Sequence, residues 1–93
     1  MKTIAITTKH QPATATRGWP VIVASALDIN GVTRRLITGW RDYFNPEENH
    51  ENAALNLLGK HQIAPQGVGV TLAASAVLRK GVRVHIYSPI TTR

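Results

Sequence analysis

The sequence predicts an α+β fold in which one helix covers one face of an antiparallel sheet of four to five strands, in the order βββ-α-ββ. Only one stretch, from residue 46 to about residue 60, spaces its apolar residues as a helix does. The segments on either side alternate apolar and polar residues with a period of two, which is typical of strands. Ninety-three residues suffice for one modest core, so residues 1-93 are predicted to form a single domain.

Three strands are predicted before the helix, over residues 2–8, 21–29 and 32–40. A loop rich in Pro, Thr and Gly separates the first strand from the second. Asn30-Gly31 lies between the second and the third and is the strongest hairpin signal in the chain. Both of its residues accept the positive φ that a type I′ turn requires.

The helix is predicted from its start signal and its apolar stripe. Asn45 is placed to cap the first turn, Pro46 stands where no N–H is needed, and Glu48 completes a capping box. The stripe that we expect to be buried follows the helical spacing: His50, Ala53, Ala54, Leu57 and Leu58. His50 is interpreted as a half-buried packing residue.

Two strands are predicted after the helix, over residues 67–75 and 82–87. The apolar row of the last strand is expected to face the helix: Val82, Val84 and Ile86. A single helix covers only one face of an antiparallel sheet. Arg83, His85 and Tyr87 are therefore predicted to lie on the uncovered face and to contact a partner. A solvated face or a dimer interface explains this row equally well.

The charge is unevenly distributed. The net charge is +6, yet four of the five acidic residues lie between Asp42 and Glu51, around the start of the helix. Acidic residues there are favoured by the helix dipole, so the rest of the surface is positive. Such a surface favours phosphates or acidic proteins as partners, although a basic balance also serves solubility alone.

The residue types that carry catalysis do not form a catalytic pattern. The four histidines lack the spacing of a metal site, which needs three or four ligands. The three serines do not stand in a nucleophile elbow. We therefore expect a protein that is not an enzyme and uses no metal, no cofactor and no small-molecule substrate.

The sequence gives no sign of a membrane segment. No run approaches the ~18 apolar residues that are typical of a transmembrane helix, and the first residues are too polar for a signal peptide. The absence of cysteine excludes disulfides and leaves the redox compartment open. We expect a cytoplasmic protein that does not bind membranes.

Basic side chains interleaved with aromatic rings suggest binding to single-stranded nucleic acid or to a nucleoprotein surface. The predicted contact residues are Lys9, Arg17, Arg34, Arg35, Arg41, Arg83, His85 and Tyr87. In the alternative interpretation, the arginines are merely solvated and the tryptophans belong to the core. For Trp19 and for Trp40 taken singly, a core position is favoured, because large aromatic side chains dominate burial in small domains.

Two motifs resemble those of a group of short phage and prophage proteins with a T-K…P-A-T-x-T-R-G opening and an N-H-x-x-A-A helix. The matching residues are Thr8-Lys9, Pro12-Ala13-Thr14-Ala15-Thr16-Arg17-Gly18 and Asn49-His50-Glu51-Asn52-Ala53-Ala54. The resemblance extends over most of the chain, but only these motifs are specific. The chain departs from the pattern at Trp19-Pro20 and at Gly39-Trp40-Arg41-Asp42.

The resemblance implies a phage anti-CRISPR protein that inhibits a type I CRISPR surveillance complex, of type I-F, in the cytoplasm of the bacterial host. Such an inhibitor binds the Cas proteins and guide RNA of the complex and blocks target DNA binding without catalysis. A net charge of +6 disfavours DNA mimicry and favours contact with RNA and acidic protein surfaces. The alternative is an independent phage module that binds RNA or single-stranded DNA. The sequence leaves the subunits contacted and the oligomeric state open.

Overall fold

A computed structural model describes residues 3–14, 18–61, 63–64 and 69–90. The described residues form one helix and five strands: β1 Ile4–Gln11, β2 Val21–Leu27, β3 Thr33–Gly39, α1 Pro46–Lys60, β4 Val70–Arg79 and β5 Val82–Pro89. The strands pair in the order β3-β2-β1-β5-β4, and every pair is antiparallel. The predicted α+β fold with the order βββ-α-ββ is confirmed.

The helix begins and ends where the sequence predicts. The Asn45 side chain accepts a hydrogen bond from the Glu48 N–H at 2.8 Å, and the Glu48 carboxylate accepts one from the Asn45 N–H at 3.1 Å. This reciprocal pair is the predicted capping box. Ala53, Ala54 and Leu57 are fully buried against the sheet. The local signals of this segment therefore determine its structure.

A buried amide joins the loop after β3 to the helix. Asn49 accepts a hydrogen bond from the Arg41 N–H at 2.8 Å and donates one to the Arg41 carbonyl at 3.0 Å. Its side chain is only 2% exposed, so these bonds form away from water and fix the approach of the loop. The spacing of apolar residues does not predict this contact.

The hairpin between β2 and β3 lies at the predicted position but uses another turn. Only Gly31 has a positive φ, of 78°, so the type I′ prediction is wrong, because that turn needs two such residues. The Asp28 carboxylate accepts hydrogen bonds from the N–H groups of Asn30 and Val32 and from Arg34 Nε, at 2.8 to 3.0 Å. This carboxylate therefore holds the turn together.

Two strands run further than the sequence predicts. β1 continues to Gln11, so Lys9 lies in a strand and not in the expected loop. It is paired on both sides, with Val23 of β2 and Val82 of β5, and this pairing overrides the loop-like composition. β4 continues to Arg79, four residues beyond the predicted end. Residues 67 and 68 of the predicted strand lie outside the described residues.

The helix packs over β1, β2 and β3, contacts β5 less and does not reach over β4. We call the side under the helix the covered face and the other side the open face. Buried side chains of the covered face include Ile6, Thr8, Ile22, Ala24 and Tyr87. The described open face includes Thr7, Lys9, Val23, Ser25, Arg35, Ile37, Val82, Val84 and Ile86.

The predicted orientation of β5 is wrong. The period of two is present, but His85 and Tyr87 lie on the covered face, 0% and 3% exposed, and Arg83 of the same row is half-buried. Val82, Val84 and Ile86 lie on the open face. Burial of the polar row is tolerated because the His85 ring hydrogen-bonds Thr8 of the neighbouring strand.

Candidate functional site

Two clusters of polar side chains are candidates for function, and the first lies under the helix. Thr8 Oγ1 is 2.7 Å from His50 Nδ1 and 3.0 Å from His85 Nε2. β1 supplies the hydroxyl, α1 and β5 supply the rings, and all three side chains are at least 97% buried. The cluster therefore joins three elements of the fold within the core.

The hydrogen bonds of this cluster require at least one neutral ring, because one ring nitrogen must accept from the Thr8 hydroxyl. A hydroxyl donates one hydrogen bond, so Thr8 donates to one ring and accepts from the other. His85 Nδ1 has no partner among the described residues. An unpaired acceptor is tolerated more readily than an unpaired N–H. This assigns the proton of His85 to Nε2, which donates to Thr8, while Thr8 donates to His50.

Burial lowers the pKa of both rings. The pKa of His50 falls to about 4, first through burial and then through the positive charge of Arg83 and the neighbouring rings of His85 and His10. The pKa of His85 is also lowered, by burial and then by Arg83. Neutral, enclosed rings of this kind stabilise the core and are not exposed to a substrate or partner.

The described residues also do not assemble a metal centre. No three His, Cys, Asp or Glu side chains among them lie close enough together to hold an ion. His10 packs on Trp40 with ring centroids 4.2 Å apart, and His50 meets the edge of the same indole at 6.5 Å. The histidines under the helix are thus engaged with Trp40 and Thr8.

The second cluster is a concave basic groove on the open face, with a volume of about 350 Å³. Its lining is Thr7, Lys9, Gln11, Val23, Ser25, Arg35, Arg79 and Val82. None of the five acidic residues of the chain lines it. Three cations from three strands therefore share one face without an acidic neighbour in the groove.

Strand register explains how these cations converge. Lys9 of β1 pairs with Val23 of β2, and Ser25 of β2 pairs with Arg35 of β3. On the other side, Lys9 pairs with Val82 of β5, which pairs with Arg79 of β4. Paired residues in a sheet point to the same face, so the three cations lie above the same part of the sheet.

Exposed apolar side chains surround the groove. Ile37 and Leu27 are 67% and 60% exposed at the β2–β3 end of the sheet. Val84 and Ile86 are half-buried on the β5 side. None of the five Trp, Tyr and Phe residues occupies a strand position on this face. The open face thus combines positive charge with aliphatic surface.

The predicted contact residues are only partly brought together. Lys9 and Arg35 lie in the basic groove, whereas Arg34 pairs with Asp28 at 2.8 Å and Arg41 donates to the Tyr43 hydroxyl at 2.9 Å, outside the groove. Arg17 lies outside the described residues. The predicted outward row of β5 belongs to the covered face, so His85 and Tyr87 are buried and do not offer a contact surface.

Sequence reasoning missed Arg79 and Thr8. Arg79 follows nine uncharged residues, and its place in the groove depends on the order of the strands. Thr8 contacts a histidine 42 residues away, and no local pattern signals that distance. The tryptophans differ: Trp40 packs against the core, whereas Trp19 is 63% exposed, so a core position for Trp19 is wrong.

The helix motif of the phage resemblance has a structural role here. Asn49, His50, Ala53 and Ala54 are all buried, and the two polar residues hydrogen-bond within the fold. The motif therefore describes how the helix seats on the sheet. It does not mark a contact surface.

Comparison of the chain with protein-family models, with curated proteins and with solved structures finds no significant match. No helix in the described part of the chain combines the length and apolar character needed to cross a membrane.

Proposed function

We propose that the protein is a non-catalytic binding protein that docks its open face on an RNA-containing nucleoprotein complex. The basic groove carries this proposal. Lys9, Arg35 and Arg79 converge there without an acidic neighbour in the lining, and clustered cations of this kind suit a phosphate backbone. Thr7, Ser25 and Gln11 add groups that hydrogen-bond phosphate oxygens.

The neighbouring aliphatic side chains support a partner that contains protein. Sequence-tolerant binding of single strands uses aromatic rings on which bases stack. The described strands place no aromatic ring on the open face, and they expose Ile37 and Leu27 there instead. Exposed aliphatic groups beside a basic groove match a surface formed by protein and nucleic acid together. This favours a nucleoprotein over a bare strand.

The phage resemblance supplies the identity of the complex that we propose. Under this hypothesis the protein is a phage inhibitor of a type I-F CRISPR surveillance complex, and it occludes the path of target DNA in the cytoplasm of the host. The acidic residues at the helix start do not line the groove, so they are not predicted to take part in this contact. The groove is predicted to contact the guide RNA or an acidic Cas surface.

The test is a binding measurement with the purified surveillance complex and with bare oligonucleotides. The variant Lys9→Glu/Arg79→Glu reverses two groove charges. Its matched control, Arg41→Glu/Lys60→Glu, makes the same change in net charge outside the groove. We expect the groove variant to weaken binding to the complex at least about tenfold, or ~1.4 kcal/mol, and the control to weaken it far less.

The comparison of partners separates this proposal from an independent nucleic-acid-binding module. An inhibitor of the complex binds the assembled nucleoprotein far more tightly than bare RNA or DNA. A module binds bare strands as tightly as the complex, and its affinity falls steeply with salt. Equal losses in the groove variant and its control would remove the groove from the proposal.

A further inference from the structure

β4 is an unpaired edge of the described sheet. It is the last strand in the order β3-β2-β1-β5-β4, and no other described strand pairs with its outer side. All of its residues except Val70 are exposed, including Leu72, Val77 and Leu78 at 38%, 59% and 60%. An exposed apolar edge is a template for pairing with another strand.

The two edges of the sheet differ in the features that block such pairing. β3 carries the adjacent cations Arg34 and Arg35, and charged side chains are a common protection of sheet edges. β4 has no charged residue and no proline before Arg79. Register shifts occur between Leu72 and Ala74 and between Val77 and Arg79, but the backbone between them is regular.

The sequence of β4 is nearly symmetrical about Ser75. Residues at equal distances on either side are similar: Ala74 and Ala76, Ala73 and Val77, and Leu72 and Leu78. Within the regular stretch from Ala74 to Val77, two antiparallel copies centred on Ser75 place Ser75 opposite Ser75 and Ala74 opposite Ala76, and the leucines flank this stretch beyond the register shifts. Small side chains therefore meet at the axis, where neither bulk nor charge opposes the close approach of two strands.

We propose that β4 pairs with β4 of a second copy, antiparallel and about a two-fold axis at Ser75. An interface of this kind is self-complementary, as a two-fold dimer requires. Each copy carries a net charge of +6, but the nine residues from Val70 to Leu78 carry no charge, so no like charges face one another at the axis.

The pairing extends the two sheets into one of ten strands. Antiparallel neighbours in a sheet share the same faces, so both helices lie on one side and both open faces on the other. The two Arg79 residues lie roughly 25 Å apart, because each is four residues from the axis. The inference does not depend on what the basic groove binds.

Sedimentation equilibrium of the full chain tests the proposal between about 1 and 100 μM, which covers dissociation constants in the micromolar range. We expect a reversible dimer that Ser75→Lys dissociates, because it places two cations opposite one another at the axis. The matched control is Ile37→Lys, the same charge at an exposed position on the opposite edge strand, and it should remain dimeric. A monomeric wild type, or a Ser75→Lys protein that dimerises like the wild type, would overturn the proposal.

A cysteine variant provides a second test that does not disrupt pairing. The chain contains no cysteine, so Ser75→Cys introduces a single thiol. Two such thiols face each other across the axis, and mild oxidation should give a disulfide-linked dimer on a non-reducing gel. Ser25→Cys, on the interior strand β2, should not become disulfide-linked under the same treatment and should run as a single chain on the gel. Equal crosslinking of the two variants would contradict the proposed axis.

Discussion

The two faces of this sheet differ in a way that hydrophobicity alone does not predict. On β5, the covered face holds Arg83, His85 and Tyr87, while the open face holds Val82, Val84 and Ile86. The more polar row is thus under the helix. The comparison shows that an alternating strand predicts two faces, whereas the partners of its polar groups decide which face is buried.

Polar groups of the covered face pair with one another in part. Thr8 bridges His50 and His85, so the rings are buried without a lost hydrogen bond at the contact. On the open face, Val82 is only 6% exposed although no helix lies above it. The long side chains of the groove, Lys9 and Arg79, line the same concavity as Val82. On the open face, side chains of neighbouring strands thus help to bury Val82, as the helix buries the side chains of the covered face.

The largest expected effect comes from a cavity under the helix. Leu57 is fully buried in the core, with 0% of its surface exposed to solvent. Leu57→Ala should therefore lower the free energy of unfolding by about 2–5 kcal/mol. Leu55 lies on the outer side of the same helix and is 57% exposed. Leu55→Ala should change stability by no more than about 0.5 kcal/mol. Chemical denaturation of both variants measures the contrast, and similar losses would show that the helix does not cover this face.

Local signals predicted the parts of the fold that depend on neighbouring residues. The capping box of Asn45 and Glu48 and the stripe that includes Leu57 placed the helix correctly. The facing of β5 was not predictable in the same way. It depends on Thr8 and His50, which are 77 and 35 residues from His85 and meet it only in the folded chain.

The candidate site was predictable in composition but not in position. Lys9 and Arg35 were recognised as basic candidates, yet the groove exists only because the strand order places β3 and β4 on opposite sides of β1. Arg79 joins them through β5, which lies between β4 and β1. Charge clusters assembled across a sheet therefore require the topology before they can be found.

Acid should destabilise the covered face. The pKa of His50 is lowered from 6.5 to about 4 in the fold, so the unfolded chain binds more protons between these values. The stabilisation is complete above about pH 6.5 and is lost as the pH falls toward 4, by roughly 3 kcal/mol. His85 contributes in the same direction. Thermal unfolding from pH 4 to 8 measures this loss.

The non-titrating variant His50→Gln provides the control for the acid effect. The substitution removes the histidine whose pKa is lowered to about 4 and keeps a side chain that forms hydrogen bonds. The stability of the variant should therefore depend less on pH over the same range. The groups facing His50 are Thr8, His85, Arg83, His10 and Trp40. An unchanged pH dependence in the variant would place the acid sensitivity elsewhere.

The bridging hydroxyl gives a smaller effect. Thr8→Val keeps the shape of the side chain and leaves both histidine rings without their shared partner, so the free energy of unfolding should fall by about 1–3 kcal/mol. Thr7 is the neighbouring residue on the open face, and Thr7→Val is the matched control. Its change should stay within about 0.5 kcal/mol. Equal losses for the two variants would show that the bridge contributes nothing beyond burial.

The smallest effect on stability is expected for substitutions in the basic groove of the open face, although these substitutions are predicted to weaken binding. Lys9→Glu/Arg79→Glu changes two exposed side chains that line the basic groove and form no ion pair among the described residues. The free energy of unfolding of this variant should stay within about 0.5 kcal/mol of the wild-type value. Its affinity for the nucleoprotein should fall by at least about tenfold, which corresponds to ~1.4 kcal/mol. Measuring both quantities on one preparation separates the two faces. If the variant loses both stability and affinity, the open face supports the fold. If it loses neither, the groove has no role in binding.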